Sequence, residues 1–185
     1  FEIKQIKKSG EIIDYVFSAV SDHLREGMSE IELDGILVSI GRAAGHQGFL
    51  RMRGFNQEMM NIFVLSGENA SAISFGDTPL CGLGATHAIA QGSSSKKIER
   101  NVPIVIDYGG GYNGYVTDET RTFVIGELED HLKRAYRVAR NIIENVESSA
   151  KPGDVAVSIY ERAKAIAGKE GLDPAGTAGD QADRA

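Results

Sequence analysis

The chain has 185 residues, 42% of them hydrophobic and 25% charged, with a formal net charge of −6. That balance describes a globular domain able to build a real core, and it excludes a low-complexity or disordered segment. No apolar run reaches the length of a membrane span and no basic stripe interleaves with aromatics, so neither a membrane nor a nucleic acid is expected as a partner.

Cys81 is the single cysteine. An intrachain disulfide or a thiolate cluster is therefore ruled out, and a reducing, cytoplasmic setting is expected. The start, FEIKQIKKSG, has no methionine and no signal-peptide layout. It reads as a start within a longer chain.

Ile3, Ile6, Ile13, Phe17, Val20 and Leu24 recur at helical spacing and predict a first helix. Ser29 and Glu32 then form an S-x-x-E capping box, which supplies acceptors for the free amides at a helix start. Leu33, Ile36, Leu37, Ile40 and Ala44 make the second stripe, closed by Gly45. NIFVLSGENAS (61–71) is an apolar strand running into a turn at Ser66–Asn69. Asn69-Ala70-Ser71 fits a glycosylation triplet and is read as a chance match. Residues 76–97 are rich in Gly and Ser without a period, which predicts a long surface loop with a functional role.

VPIVIDYGGGYNGYVTDETRTFVIG (102–126) follows, two apolar runs around Asn113-Gly114. That dipeptide is a strong hairpin signal, because a type I′ turn needs positive φ at both central residues. With Tyr112 and Tyr115 flanking the turn, Asp107 falls opposite Thr120 and Gly109 opposite Asp118. The two carboxylates then share one face in diagonal positions, roughly 7 Å apart at Cβ, close enough to hold a small cation together. A bulge at the triple glycine would move the register by one and separate them. The acids have a plainer reading too: Asp118 paired with Arg121 or Lys133, and Asp107 accepting backbone amides. The glycines equally read as relief of crowding for a close backbone approach.

Beyond the hairpin, Leu132, Ala139, Ile142, Ile143, Val146 and Ala150 form a third stripe. KPGD follows, with Asp154 expected as N-cap, then Ile159, Ala163 and Ile166, closed by Gly171. One offset of 126 lays Gly27 on Gly153, Gly45 on Gly171, Val16 on Ile142 and Ile40 on Ile166, which reads as a duplication. The first helix pair is followed by a strand-rich stretch, the second only by LDPAGTAGDQADRA, which reads as loop. The arithmetic predicts a first half over about 1–126 and only the start of a second half over 127–185, its strands missing.

Asp-x-Gly, a glycine and tyrosine stretch, then Asp-x-Thr-Arg-Thr-Phe resembles the first metal-binding hairpin of the pita-bread metallopeptidases. That family takes in methionine aminopeptidase, aminopeptidase P, prolidase and, without metal, creatinase. IKKSGEI, REGMSEIEL, RMRGFNQEM and VLSGENAS are similar to the Xaa-Pro-cleaving branch. The resemblance implies an α+β pita-bread fold, pseudo-twofold helix pairs packed on antiparallel sheet. It implies a site of two divalent metal ions (Mn2+, Co2+ or Zn2+) to which Asp107 and Asp118 contribute, with later ligands, a histidine and two glutamates, that this sequence does not contain. The implied activity is cleavage of the Xaa-Pro bond by metal-activated water, on a peptide substrate with proline at its second position, by an aminopeptidase or dipeptidase. The stretch itself is expected to be inactive alone. Relatives often form homodimers and carry an upstream domain.

Many members place a substrate-binding histidine before the metal hairpin. His87, 20 residues ahead of Asp107 in GATHAIAQG, is the candidate, against a plain loop residue. His23 and His131 fall on helices, and His46 follows a helix-ending glycine, where a cation suits the helix dipole. None of these three reads as a ligand. The alternative to an enzyme is a non-catalytic pita-bread module that binds a peptide or protein. Retention of both aspartates speaks against it.

Overall fold

The structure, a computed structural model, describes residues 1–55, 58–72 and 80–172. The chain divides into two units, Phe1–Glu127 and Leu128 onward.

In the first unit, α1 (Glu2–His23) buries Ile12, Ile13, Val16 and Val20, one face at helical spacing. α2 (Glu30–Ala43) opens with the expected capping box. The Glu32 amide donates to the Ser29 hydroxyl at 3.3 Å, and the Ser29 amide donates to the Glu32 carboxylate at 2.5 Å. Gly27 and Gly45, which bound the helix, take φ of +81° and +103°, a region that glycine enters without a Cβ penalty.

A short ladder joins β1 (Leu50–Arg51) to β2 (Glu58–Met59). The main sheet is antiparallel in the order β3 (Ile62–Ser66), β4 (Ile104–Tyr112), β5 (Tyr115–Phe123). Because side chains alternate along a strand, Ile104, Ile106 and Tyr108 share one face with Ile62 and Val64. They pack with Val16, Val20, Leu33 and Leu37 of the two helices, and every one of these is at most 3% exposed. Each aliphatic buried in this way contributes about 1.5–3 kcal/mol.

The β4–β5 register is the one the Asn-Gly turn predicts: Tyr112 on Tyr115, Gly109 on Asp118, Asp107 on Thr120, with no bulge. Asn113 and Gly114 have φ of +51° and +84°. The triple glycine admits three different neighbours. A Cβ on Gly109 would strike Leu50, one on Gly110 would lie 2.8 Å from Ile13, and one on Gly111 would lie 2.9 Å from Gln47.

The loop before β4 departs from its sequence reading. Over 80–95 it has no regular strand, yet Cys81, Gly82, Gly84, Gly92, Ser93 and Ser94 are buried, Gly82 and Gly92 beside Leu65 and Phe63 of β3. The reason is the apolar outer face of β3, Phe63 and Leu65, which the glycines let the loop approach: a Cβ on Gly92 would sit 3.2 Å from the Phe63 ring. Asn69 is likewise buried, 2% exposed, as suits a triplet that arose by chance.

The second unit is a helix pair, α3 (Asp130–Ser149) and α4 (Ala156–Lys169), burying Val138 and Ala167. Arg134 of α3 pairs with Glu170 just past α4 at 3.7 Å. The offset of 126 holds: Glu30–Ala43 falls on Ala156–Lys169 end to end, and His23 on Ser149. Gly153 and Gly171 repeat the positive φ of Gly27 and Gly45, at +96° and +68°. Asp154, however, does not cap α4. The N-cap is Val155, without a side-chain bond, and the Asp154 carboxylate turns back to accept from the Lys151 amide at 3.1 Å. The tail read as loop lies, from residue 173 on, outside the described residues. No described helix is long and apolar enough to cross a membrane.

Candidate metal centre

Asp107 and Asp118 lie on the face of the hairpin turned away from α1 and α2, opposite the Ile106 and Tyr108 face. Asp107 is half-buried in a small recess with Leu50, Met59, Met60, Phe63 and Gly109. Asp118, on the edge strand, is exposed. The Thr120 hydroxyl, directly across the ladder, donates to the Asp107 carboxylate.

Burial pushes the Asp107 carboxyl above its ordinary range, the Thr120 hydroxyl pulls it back, and the Asp118 charge pushes it up again. The two carboxylates therefore act on each other, as the diagonal register requires. A cation between them would relieve both the burial cost and the mutual repulsion.

The ion-pair reading of the acids fares differently. Arg121 turns to Glu119 at 2.9 Å and lies over the Phe17 ring at 5.9 Å. Lys133 pairs with Asp130 at 3.6 Å. Within the first unit, Asp107 and Asp118 form no ion pair among the described residues. Nor do the described residues contain a cluster of three or more His, Cys, Asp or Glu able to hold a metal ion. Two carboxylates in diagonal positions are oxygen donors of the kind a hard divalent cation takes.

His87 does not line the recess that holds Asp107. It is exposed at the far end of the 80–95 loop, in a turn pinned by the Thr86–Ile89 bridge. The hollow it lines is shared with Cys81, Leu83, Thr86 and Lys96. The loop nonetheless covers the Asp107 side of the sheet, since Phe63 beneath it is the ladder partner of Asp107.

His46 differs from its sequence reading. It is 2% exposed, against the Tyr108 ring with centroids 5.7 Å apart. The Gly48 amide donates to Nδ1 at 2.9 Å, so Nε2 carries the proton and donates to the Gly109 carbonyl at 2.9 Å. Burial pulls its pKa below the ordinary value, with Arg42 adding to that and the Gly109 bond opposing it. The ring is neutral and braces the strand; it does not serve as a cation for the helix dipole. β3 starts at Ile62, opposite Tyr108, and beyond it the α2–β1 segment takes over that edge of β4: the Gln47 amide donates to the Gly111 carbonyl at 2.9 Å. The motif signal was absent for His46, because the Gly109 carbonyl that it braces lies 63 residues away.

Three comparisons place these features. A family model described as metallopeptidase family M24 matches residues 4–180. The chain is 29% identical over 170 residues to the Xaa-Pro dipeptidase of Pyrococcus horikoshii, covering 92% of this chain and 41% of that protein. Against the Xaa-Pro dipeptidase of Pyrococcus furiosus the identity is 28%, covering 89% and 40%. Among solved structures, the X-Pro aminopeptidase from Thermotoga maritima superposes with a TM-score of 0.71 at 28% identity, over 92% of this chain and 41% of that one. The prolidase from Pyrococcus furiosus gives 0.71 at 26%, over 92% and 43%.

Proposed function

Because this chain belongs to metallopeptidase family M24, we propose that it carries the Asp107 and Asp118 ligands of a peptidase that hydrolyses Xaa-Pro bonds. The observation behind the reading is the hairpin register. It sets the two carboxylates diagonally on the face turned away from α1 and α2, where the charge of Asp118 acts on Asp107. The printed names of the relatives, Xaa-Pro dipeptidase and X-Pro aminopeptidase, support the substrate class.

Divalent cations held there, manganese, cobalt or zinc, would supply Lewis acidity and a nucleophilic water at neutral pH. The residues of this chain do the rest by placement. Thr120 holds one oxygen of Asp107 and so orients the other. Phe63, Leu50 and Met59 give the Asp107 recess an apolar lining, and the loop lies over Phe63 at Gly92.

The test is metal content. In the full-length protein, dialysed against Mn2+ and analysed for bound metal, Asp118→Asn should lose most of its manganese. Unchanged content would mean that the acids are structural. A second reading is a non-catalytic pita-bread module that binds a peptide or protein. Binding of an Xaa-Pro dipeptide by the manganese-loaded full-length protein, with no turnover, would favour it.

A further inference from the structure

Glu30 is the first residue of α2, yet it is 0% exposed. Its carboxylate accepts five hydrogen bonds. Oε1 takes the Ser66 amide at 2.6 Å and the Ser66 hydroxyl at 2.9 Å. Oε2 takes the Asn69 side-chain amide at 2.5 Å, the Ser94 amide at 3.0 Å and the Ser94 hydroxyl at 2.7 Å. Every donor is neutral, and Glu30 forms no ion pair among the described residues. The helix N-terminus, with its partial positive charge, offsets part of the cost of burying the anion.

The partners explain what the carboxylate organises. Asn69, held by its amide nitrogen, uses its own Oδ1 to accept from the Leu83 amide at 2.7 Å. Ser94 is the other end of the same loop. Both ends of the 83–94 segment therefore converge on one carboxylate. Between them the segment closes its own neck, the Gly84 amide donating to the Gly92 carbonyl at 3.0 Å and the Gly92 amide to the Cys81 carbonyl at 2.6 Å. His87 sits at the tip beyond that neck. One turn further along α2, Asp34 repeats the grip on the preceding residue. It accepts from the Ser93 hydroxyl at 2.6 Å, while that hydroxyl accepts from the Val64 amide at 2.8 Å. Two acids on one helix face thus hold two consecutive serines.

We propose that Glu30, seconded by Asp34, is a positioning residue for substrate: it fixes the 83–94 loop as one wall of the Asp107–Asp118 cleft and sets where His87 stands. This rests on the peptidase reading. The link to the cleft is the ladder itself. The loop lies on Phe63, Phe63 is the cross-strand partner of Asp107, and Asp118 is exposed. A wall held from behind by buried hydrogen bonds keeps its place without a ligand, which is what a preformed subsite needs.

Glu30→Gln keeps the shape but turns one acceptor oxygen into a donor facing donors. Ser94→Ala removes only the hydroxyl at the loop's end and serves if the first variant folds poorly. Both would be measured in the full-length, manganese-loaded protein on an Xaa-Pro dipeptide, with proteolytic nicking between 83 and 92 followed in parallel. The expected result is a KM raised by about tenfold in Glu30→Gln and less in Ser94→Ala, the scale of one lost charge-assisted hydrogen bond, with kcat and manganese content held and nicking accelerated. A KM unmoved while nicking accelerates would overturn the role in substrate binding. Equal losses of kcat, metal and melting temperature, without a KM effect, would reduce Glu30 to a fold determinant and overturn it also. Wild-type protein that cleaves no Xaa-Pro bond would overturn the peptidase reading itself, and this role with it.

Discussion

Alanine at Gly41 should destabilise the protein, and alanine at Gly35, on the same helix, should stabilise it. Both glycines lie within α2, where exchanging glycine for alanine gains about 0.8–1 kcal/mol of helix propensity. Their surroundings differ. A Cβ on Gly35 meets nothing within 4 Å. A Cβ on Gly41 would overlap the Tyr108 hydroxyl oxygen and lie 3.2 Å from its Cζ and 3.4 Å from a Val16 methyl. Tyr108 has nowhere to retreat: it is 0% exposed, with the His46 and Phe17 rings at 5.7 and 6.5 Å. Overpacking a core of this kind costs about 1–3 kcal/mol, sometimes more, which outweighs the propensity gain. The propensity gain is common to both variants, so they should differ by the overpacking cost itself, about 1–3 kcal/mol, with Gly41→Ala the less stable. Urea denaturation followed by circular dichroism would read this as a midpoint separation on the order of 1 M. A Gly41→Ala midpoint above wild type would refute the seating of α2 on Tyr108, and with it the account of how β4 is held.

Two further outcomes can be checked in the same way. Burial raises the Asp34 pKa from 3.8 to about 6, against the Ser93 hydroxyl, which lowers it. The folded state then binds the extra proton between those values, so stability falls as pH rises from about 4 to about 6 and is flat in this respect above that, by at most about 3 kcal/mol. Asp34→Asn should flatten that slope in urea titrations at pH 4, 5, 6 and 7; an unchanged slope would show that Asp34 is not its source. Gly114→Ala meets no neighbour but must adopt φ of +84°, so it should lower stability by about 1 kcal/mol, read as a drop in melting temperature. A Tm equal to wild type would mean that the turn is not type I′.

What the sequence makes legible here is local. The Ser29–Glu32 box, the glycine stops and the Asn113-Gly114 turn each act within a few residues, so spacing alone carries them, down to the Asp107–Thr120 pairing. The misses are tertiary. Glu30 follows a capping serine and precedes Ile31 and Glu32, a context that reads as solvated surface, and its partners Ser66, Asn69 and Ser94 return from 36, 39 and 64 residues away. His46 becomes neutral for the same kind of reason, and Asp154 fails as a cap because the Lys151 amide, three residues back, claims it. Glycine and serine in the 80–95 loop suggested exposure, but glycine also permits the closest packing, and β3 offered Phe63 and Leu65 to pack upon.

The β4–β5 hairpin has a bearing on the order in which the protein forms. Asp107 and Thr120 are 13 residues apart, whereas the Ser9–Thr117 hydroxyl pair that docks α1 on β5 spans 108 and the Glu30–Ser94 bond spans 64. Hairpins close in about 1–10 μs, and contacts across long loops follow later because their closure costs more entropy. The spacing of the two acids is thus settled early and by short-range chemistry, while the wall beside them is assembled late and from afar. Changes that remodel the wall leave the acid pair where it was, so the chain can explore new cleft shapes around a fixed pair of carboxylates.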